Sequence, residues 1–166
     1  MTEQNDFARL AQLLFPGINK ATEYYEELYP QRNLAEGARV TRFAPSPTGY
    51  LHIGGLFGAF VDVLTAKVSG GIAFLRIEDT DKKREIDEGV LAITEGLGSF
   101  GVDFDEGVTG IGSEKGAYGP YTQSKRVEIY QTVGKSLVEK GLAYPCFCSA
   151  QEIDSLREKQ EAEGAD

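Results

Sequence analysis

Apolar and polar residues alternate differently in successive stretches of this chain. Phe7, Leu10, Leu13 and Leu14 recur at helical spacing until Pro16-Gly17 breaks the pattern. Residues 22–29 form a second short helical stretch, stopped by Pro30, and 33–37 reads as a linker. The pattern then tightens. Residues 40–44 are a short β-favouring run expected to form a buried strand, and 53–68 is apolar nearly all round, as expected of a buried helix. Gly58 and Ala59 would let that helix approach a sheet, and Gly70-Gly71 would end it. Residues 72–77 make a second apolar strand, so the segment predicts a right-handed βαβ unit with parallel strands and an α/β fold.

Beyond the second strand the signal is uneven. Residues 85–100 predict a surface helix with Val90, Ile93 and Leu97 inward. Residues 102–119 are Gly-rich and acidic without periodicity and read as loop, with Asp103, Asp105 and Glu106 on a solvated edge. Ser124 is placed to cap a helix over 127–140, whose Val127, Tyr130, Val133 and Leu137 would face a core. Residues 143–147 read as a short strand, and Ser149 with Glu152 forms a capping box opening a charged helix to about residue 163. The chain divides into a helical preface over 1–38, an α/β portion over 39–142 and a last segment over 143–166.

Charge and composition narrow the functions. Of 166 residues, 26 are acidic and 17 basic, a net charge of -9, so nucleic acid would have to be held by local contacts rather than by overall charge. No apolar run suits a membrane span or a signal peptide. Cys146 and Cys148 stand too close together for a disulfide framework, which points to a reducing, cytoplasmic setting, and a monomer is expected. Packed thiols are the default for this pair. As C-x-C they are also half of a possible zinc site, which needs two further ligands.

The chemistry concentrates where the first strand ends. Pro45 and Pro47 fix their own φ and push Ala44 and Ser46 toward extended backbone, and Thr48-Gly49 supplies a bend. Gly54-Gly55 then removes side chains at a helix start, where backbone N–H groups would be open to a phosphate. His52, the single histidine, sits at that mouth. The second strand ends in Arg76-Ile77-Glu78-Asp79-Thr80-Asp81, so both polar clusters would meet at the carboxyl ends of parallel strands. Glu78, Asp79 and Asp81 also offer oxygen ligands for a metal, and Lys82-Lys83-Arg84 gives one compact basic spot suited to RNA phosphates.

The run from Arg42 to Gly55 closely resembles the "HIGH" signature of class I aminoacyl-tRNA synthetases, in the form found in glutamyl-tRNA synthetases. Gly55 stands in place of the final histidine, a variation familiar in the glutamyl branch. The R-I-E-D-T-D run and the stretch from Gly119 to Arg126 are similar to the same family. The resemblance covers residues 39 to about 160 and implies an N-terminal part of a longer enzyme, without the Lys-Met-Ser-Lys-Ser loop: 39–142 as the first half of a Rossmann-like catalytic domain and 143–166 as the start of the insertion that binds the tRNA acceptor end. Its implied function is ATP- and Mg²⁺-dependent activation of glutamate, then transfer to the 3′ end of tRNA-Glu, with this portion inactive alone. By resemblance, His52, Gly54 and Gly55 would serve catalysis; Thr48, His52, Gly54 and Gly55 would bind ATP. Arg42, Ala44, Ser46 and Glu78 would hold glutamate, with Arg42 on its side-chain carboxylate and Glu78 on its α-ammonium. Asp81, Arg84, Lys125 and Arg126 are candidate tRNA contacts, and some relatives carry zinc at C-x-C. Other readings are a paralogue that glutamylates a modified nucleoside in tRNA-Asp, a nucleotidyltransferase of the same superfamily, and a non-catalytic nucleotide- or RNA-binding module.

Overall fold

The computed structural model describes residues 3–84, 86 and 88–164. They form two compact units: one is Gly17–Val133, and the other joins the segment ending at Pro16 to the segment beginning at Gly134.

The larger unit is organised on a four-stranded sheet of order β1-β2-β3-β4. It opens with α2 (Thr22–Leu28), then β1 (Val40–Phe43), α3 (Ile53–Ser69) and β2 (Ile72–Leu75). β1 and β2 run parallel with Val40 opposite Ile72 and Phe43 opposite Leu75, the expected βαβ unit. α3 ends at Gly70 in the left-handed conformation, as the sequence signals. α4 (Gly89–Ser99) presents Ile93 and Leu97 to the core. It starts later than the periodicity suggests, and Glu85 and Asp87 lie outside the described residues.

The supposed loop over 102–119 is instead a strand pair. β3 (Glu106–Gly110) adds a third parallel strand beside β2, and β4 (Ser113–Lys115) returns antiparallel. β3 carries few apolar residues, and its place comes from ladder pairing and the burial of Val108. Gly107, at φ 122°, is pressed against β2 so closely that a Cβ would fall 2.2 Å from the Leu75 carbonyl oxygen. The glycines that blurred the pattern are what allow the strand to dock. The core gathers Ala59 and Ala66 of α3, Ala73, Leu75, Ile77, Ile93, Leu97, Phe104 and Tyr121.

Two expectations of burial fail for one reason. β1 is the edge strand, and Val40 is exposed. α3 buries Ala59 and Ala66, whereas Phe57, Phe60, Leu64 and Val68 on its other side are exposed. Hydrophobicity all round a helix marks its capacity to be covered twice, and within this unit it is covered on one side. A 3-10 turn (Gln123–Arg126) precedes α5 (Val127–Glu139), and Ser124 lies inside that turn rather than capping it: the turn's N-cap is Thr122, whose side chain makes no capping bond. Val127, Tyr130, Val133 and Leu137 of α5 are exposed, while Thr132 and Val138 are buried, so the inward face is rotated from the expected one.

In the smaller unit, α1 (Glu3–Leu14) has Ala11 fully buried, and Gln12 accepts from Lys135 at 2.8 Å. Residues 143–149 form no strand; Tyr144 and Phe147 are exposed. α6 (Ala150–Glu163) starts with the full capping box, Ser149 and Glu152 each bonded to the other's backbone N–H. No described helix is long and apolar enough to cross a membrane.

Candidate active site

The turn between β1 and α3 is pinned from behind. Pro45 accepts the Glu78 N–H at 3.0 Å and Pro47 accepts the Ile86 N–H at 3.0 Å, so both prolines serve as acceptors where they cannot donate. Pro47 is fully buried. In front lies a cavity of about 450 Å³ lined by Pro45, Ser46, Thr48, Tyr50, His52 and Gly55, among others.

His52 is the N-cap of α3. Its Nδ1 accepts from the N–H of Gly54 at 3.1 Å and of Gly55 at 3.3 Å. The two donors expected to stand open to a phosphate are therefore occupied by the histidine itself. An accepting Nδ1 carries no proton, which leaves Nε2 as the N–H donor of a neutral ring. A Cβ on Gly54 would come within 3.1 to 3.2 Å of that ring, so glycine is what lets the imidazole lie over the helix start.

At the ends of the two parallel strands, Arg42 donates to Glu78 Oε1 at 2.9 Å and Arg76 donates to the same oxygen at 3.3 Å. Among the described residues Oε2 of Glu78 accepts no hydrogen bond. The Arg42 and Glu78 side chains keep 42% and 29% of their surface exposed, so the pair is reachable from solvent. Asp62 lies close enough to feel Arg42: burial pushes its carboxyl up, and the guanidinium partly offsets this. Arg42 and Glu78 thus stand together, while His52, Ser46, Thr48 and Gly55 share the cavity; the Glu78-to-Pro45 backbone bond joins the two groups. Ala44 is the half-buried link between Arg42 and that turn.

The other half of R-I-E-D-T-D is structural. Asp79 is 7% exposed and accepts from the Ser124 N–H at 2.8 Å, the Ser124 hydroxyl at 2.5 Å and Lys82 at 3.2 Å. Burial alone would raise its carboxyl, but these bonds outweigh burial and hold it below the ordinary value. Asp81 pairs with Arg84 at 2.6 Å. Lys125 stands 3.8 Å from Glu114, and Arg126 donates to the carbonyls of Pro120 at 2.8 Å and Tyr118 at 3.5 Å.

Sequence reading missed a polar bracket. Arg32, in the segment read as a helical preface, makes a two-pronged ion pair with Glu106 at 2.6 and 2.5 Å, and Tyr121 donates to the same carboxylate at 2.6 Å. Hydrogen bonds from Arg32 lower the Glu106 carboxyl against its burial, and burial together with Glu106 pushes the Tyr121 phenol up to about 12. Asp105, assigned to a solvated edge, accepts the Ala73 N–H at 2.8 Å. No local feature of the sequence marks this bracket.

Cys146 and Cys148 are both exposed, not packed, and bonds from Cys148 lower the Cys146 thiol. Among the described residues no three His, Cys, Asp or Glu side chains cluster as a metal site. The cysteine pair supplies two ligands of the four that tetrahedral zinc takes.

Residues 39–166 match the family described as tRNA synthetases class I (E and Q), catalytic domain. A glutamate–tRNA ligase of Clostridium perfringens is 55% identical over 157 residues, 95% of this chain and 29% of the relative. One from Acetivibrio thermocellus is 55% identical over 159 residues, again 95% and 29%. A crystal structure of a glutamate tRNA ligase from Elizabethkingia meningosepticum, in complex with its amino acid, matches 78% of this chain and 25% of that one, with a TM-score of 0.65 and 42% identity. The chain therefore spans under a third of the length of these relatives. With the strand-turn-helix and R-I-E-D-T-D end in place, the chain belongs to the glutamate and glutamine branch of the class I tRNA synthetases, in its catalytic domain.

Proposed function

We propose that this chain provides the nucleotide and amino-acid rim of a glutamate–tRNA ligase, which activates glutamate with ATP and transfers it to the 3′ end of tRNA-Glu. The observation that carries the reading is the Arg42–Glu78 pair at the ends of adjacent parallel strands. Glutamate brings its own carboxylates and ammonium. Its side-chain carboxylate would exchange with Glu78 for the planar fork of Arg42, and its ammonium would take the open Oε2 of Glu78. Each charge released from the internal pair gains a ligand partner, so little desolvation goes uncompensated. Ala44 and Ser46 would line the amino-acid side, and Thr48, His52, Gly54 and Gly55 the phosphate side.

Activation joins the glutamate α-carboxylate to the α-phosphate of ATP and expels pyrophosphate. The work of this rim is to align two anions and to place donors where charge builds. His52 Nε2–H is the donor already exposed. The Gly54 and Gly55 N–H groups become donors to phosphate once the imidazole swings off them. Mg²⁺, when bound, would be carried largely by phosphate oxygens and water and would neutralise phosphate charge, a role suited to a chain without a carboxylate cage among its described residues. Asp81, Arg84 and Lys125 stand exposed or half-exposed as contacts for tRNA, and zinc would need ligands beyond Cys146 and Cys148. The domain reading, with the synthetase portion beginning at 39, is retained as part of this proposal.

Calorimetric titration of the chain tests the assignment. It is expected to bind glutamate more tightly than glutamine, because neutral glutamine cannot displace Glu78 from Arg42. Equal affinity for the two, or none for either, would overturn the amino-acid assignment.

A further inference from the structure

A second cavity, of about 240 Å³, lies in the larger unit, lined by Tyr29, Arg32, Phe74, Arg76, Tyr118 and Arg126 among others. Tyr29 and Arg32 come from the segment read as preface and linker, and they are held there by bonds of their own. Tyr29 donates to the Gly119 carbonyl at 2.5 Å, Tyr118 donates to the Pro30 carbonyl at 2.8 Å, and the Arg32 guanidinium lies 3.7 Å over the Tyr118 ring. The walls are built, and nothing in the proposed glutamate chemistry uses them.

The charge of the cavity is unbalanced. Its three arginines have two carboxylates bonded to them, Glu106 on Arg32 and Glu78 on Arg76, and Glu78 is shared with Arg42. Arg126 has no carboxylate partner among the described residues and donates only to two backbone carbonyls. The Nε–H groups of both Arg76 and Arg126 are buried without a partner. In a chain of net charge -9 this is a local surplus of positive charge, and its guanidiniums are desolvated on one edge without compensation. An anion in the cavity, against the parts of Arg32, Arg76 and Arg126 that line it, would restore the balance.

We infer that this cavity is a binding site for a small planar carboxylate. A carboxylate in the cavity would pair with the Arg126 and Arg76 guanidiniums that line it, and a flat apolar body would meet the lining residues Tyr29, Phe74 and Tyr118. The cavity touches the glutamate site only through the Arg76–Glu78 bond, and its test does not depend on that reading.

Benzoate is the probe, with benzamide as its neutral counterpart, titrated into the whole chain by calorimetry. Benzoate binds and benzamide does not. Arg126→Gln weakens benzoate at least tenfold, as expected for loss of a charged hydrogen-bond partner, whereas Arg157→Gln on exposed α6 leaves it unchanged. Val40 also lines the cavity, and Val40→Trp takes up its space while keeping every charge, so it too abolishes binding; it decides the question alone where Arg126→Gln fails to show a cooperative melt. No benzoate binding at 10-millimolar order, equal binding of benzamide, or undiminished binding by the folded variants overturns the inference.

Discussion

Glu78 and Asp79 are neighbours in sequence and carry the same charge, yet the fold uses them oppositely. Asp79 turns inward and receives three hydrogen bonds from Ser124 and Lys82. Glu78 turns outward, accepts on one oxygen from two arginines and keeps the other oxygen open. Both residues lie past the end of β2 at Leu75, where the chain gives neighbouring side chains different surroundings. A satisfied carboxylate fixes a loop, while a partly satisfied one can exchange partners with a ligand. The same contrast separates the Arg32–Glu106–Tyr121 bracket, whose carboxylate is closed off by three hydrogen bonds, from the Arg42–His52 side, which is open.

The closed side should break hardest. Glu106→Ala strands the Arg32 guanidinium and the Tyr121 hydroxyl, whose partner side chain is 14% exposed, and is expected to cost about 3 kcal/mol. Urea unfolding of the chain measures it; a cost below about 1 kcal/mol would place Glu106 with the exposed pairs instead. On the open side the large effect moves to binding. Arg42→Ala should weaken glutamate roughly thirtyfold while leaving ATP within a factor of about three. Equal losses for both ligands would remove Arg42 from the amino-acid assignment.

Acid sharpens the contrast further. Asp79 and Glu106 are both held below their ordinary values in the fold, so the stability they contribute is present above the unfolded carboxylate range and is lost as pH falls through their lowered values. Asp79→Asn is therefore expected to cost about 1.5 kcal/mol at neutral pH and progressively less in acid. A stability-against-pH series in which wild type and Asp79→Asn stay parallel down to pH 2 would contradict this.

Much of this was legible beforehand, and the failures share a cause. The strand-turn-helix, the parallel pair and the α6 capping box follow from local rules: proline geometry, glycine caps, and reciprocal Ser149–Glu152 bonding. What escaped depends on partners far along the chain. β3 is a strand because β2 pairs with it, and Gly107 fits against Leu75 only in that pairing. The α5 face and the half-covered α3 were misjudged because periodicity gives a helix its apolar faces but not the neighbours that cover them. Arg32, some seventy residues from Glu106, has no local signature at all. In the site, residue identity was readable but pairing was not. Glu78 bonded to Arg42, and His52 folded over Gly54 and Gly55, become visible only with both strands in place.

The smallest expected effect is at His52, and it separates two roles held by one ring. As N-cap, Nδ1 satisfies two orphan N–H groups of α3, a contribution of about 1 kcal/mol for a cap of this kind. As phosphate donor, the ring would act through Nε2–H. His52→Ala removes both. His52→Asn keeps a strong cap, since an asparagine oxygen accepts the same backbone donors, but its short side chain does not carry a donor to the Nε2 position. The expected pattern is that the Ala variant unfolds about 1 kcal/mol more easily, the Asn variant melts like wild type, and both bind ATP several-fold more weakly. Thermal melts and ATP titrations on the two variants check it together. If Asn restores ATP binding along with stability, His52 matters only as a cap, and the open side has lost its nucleotide donor.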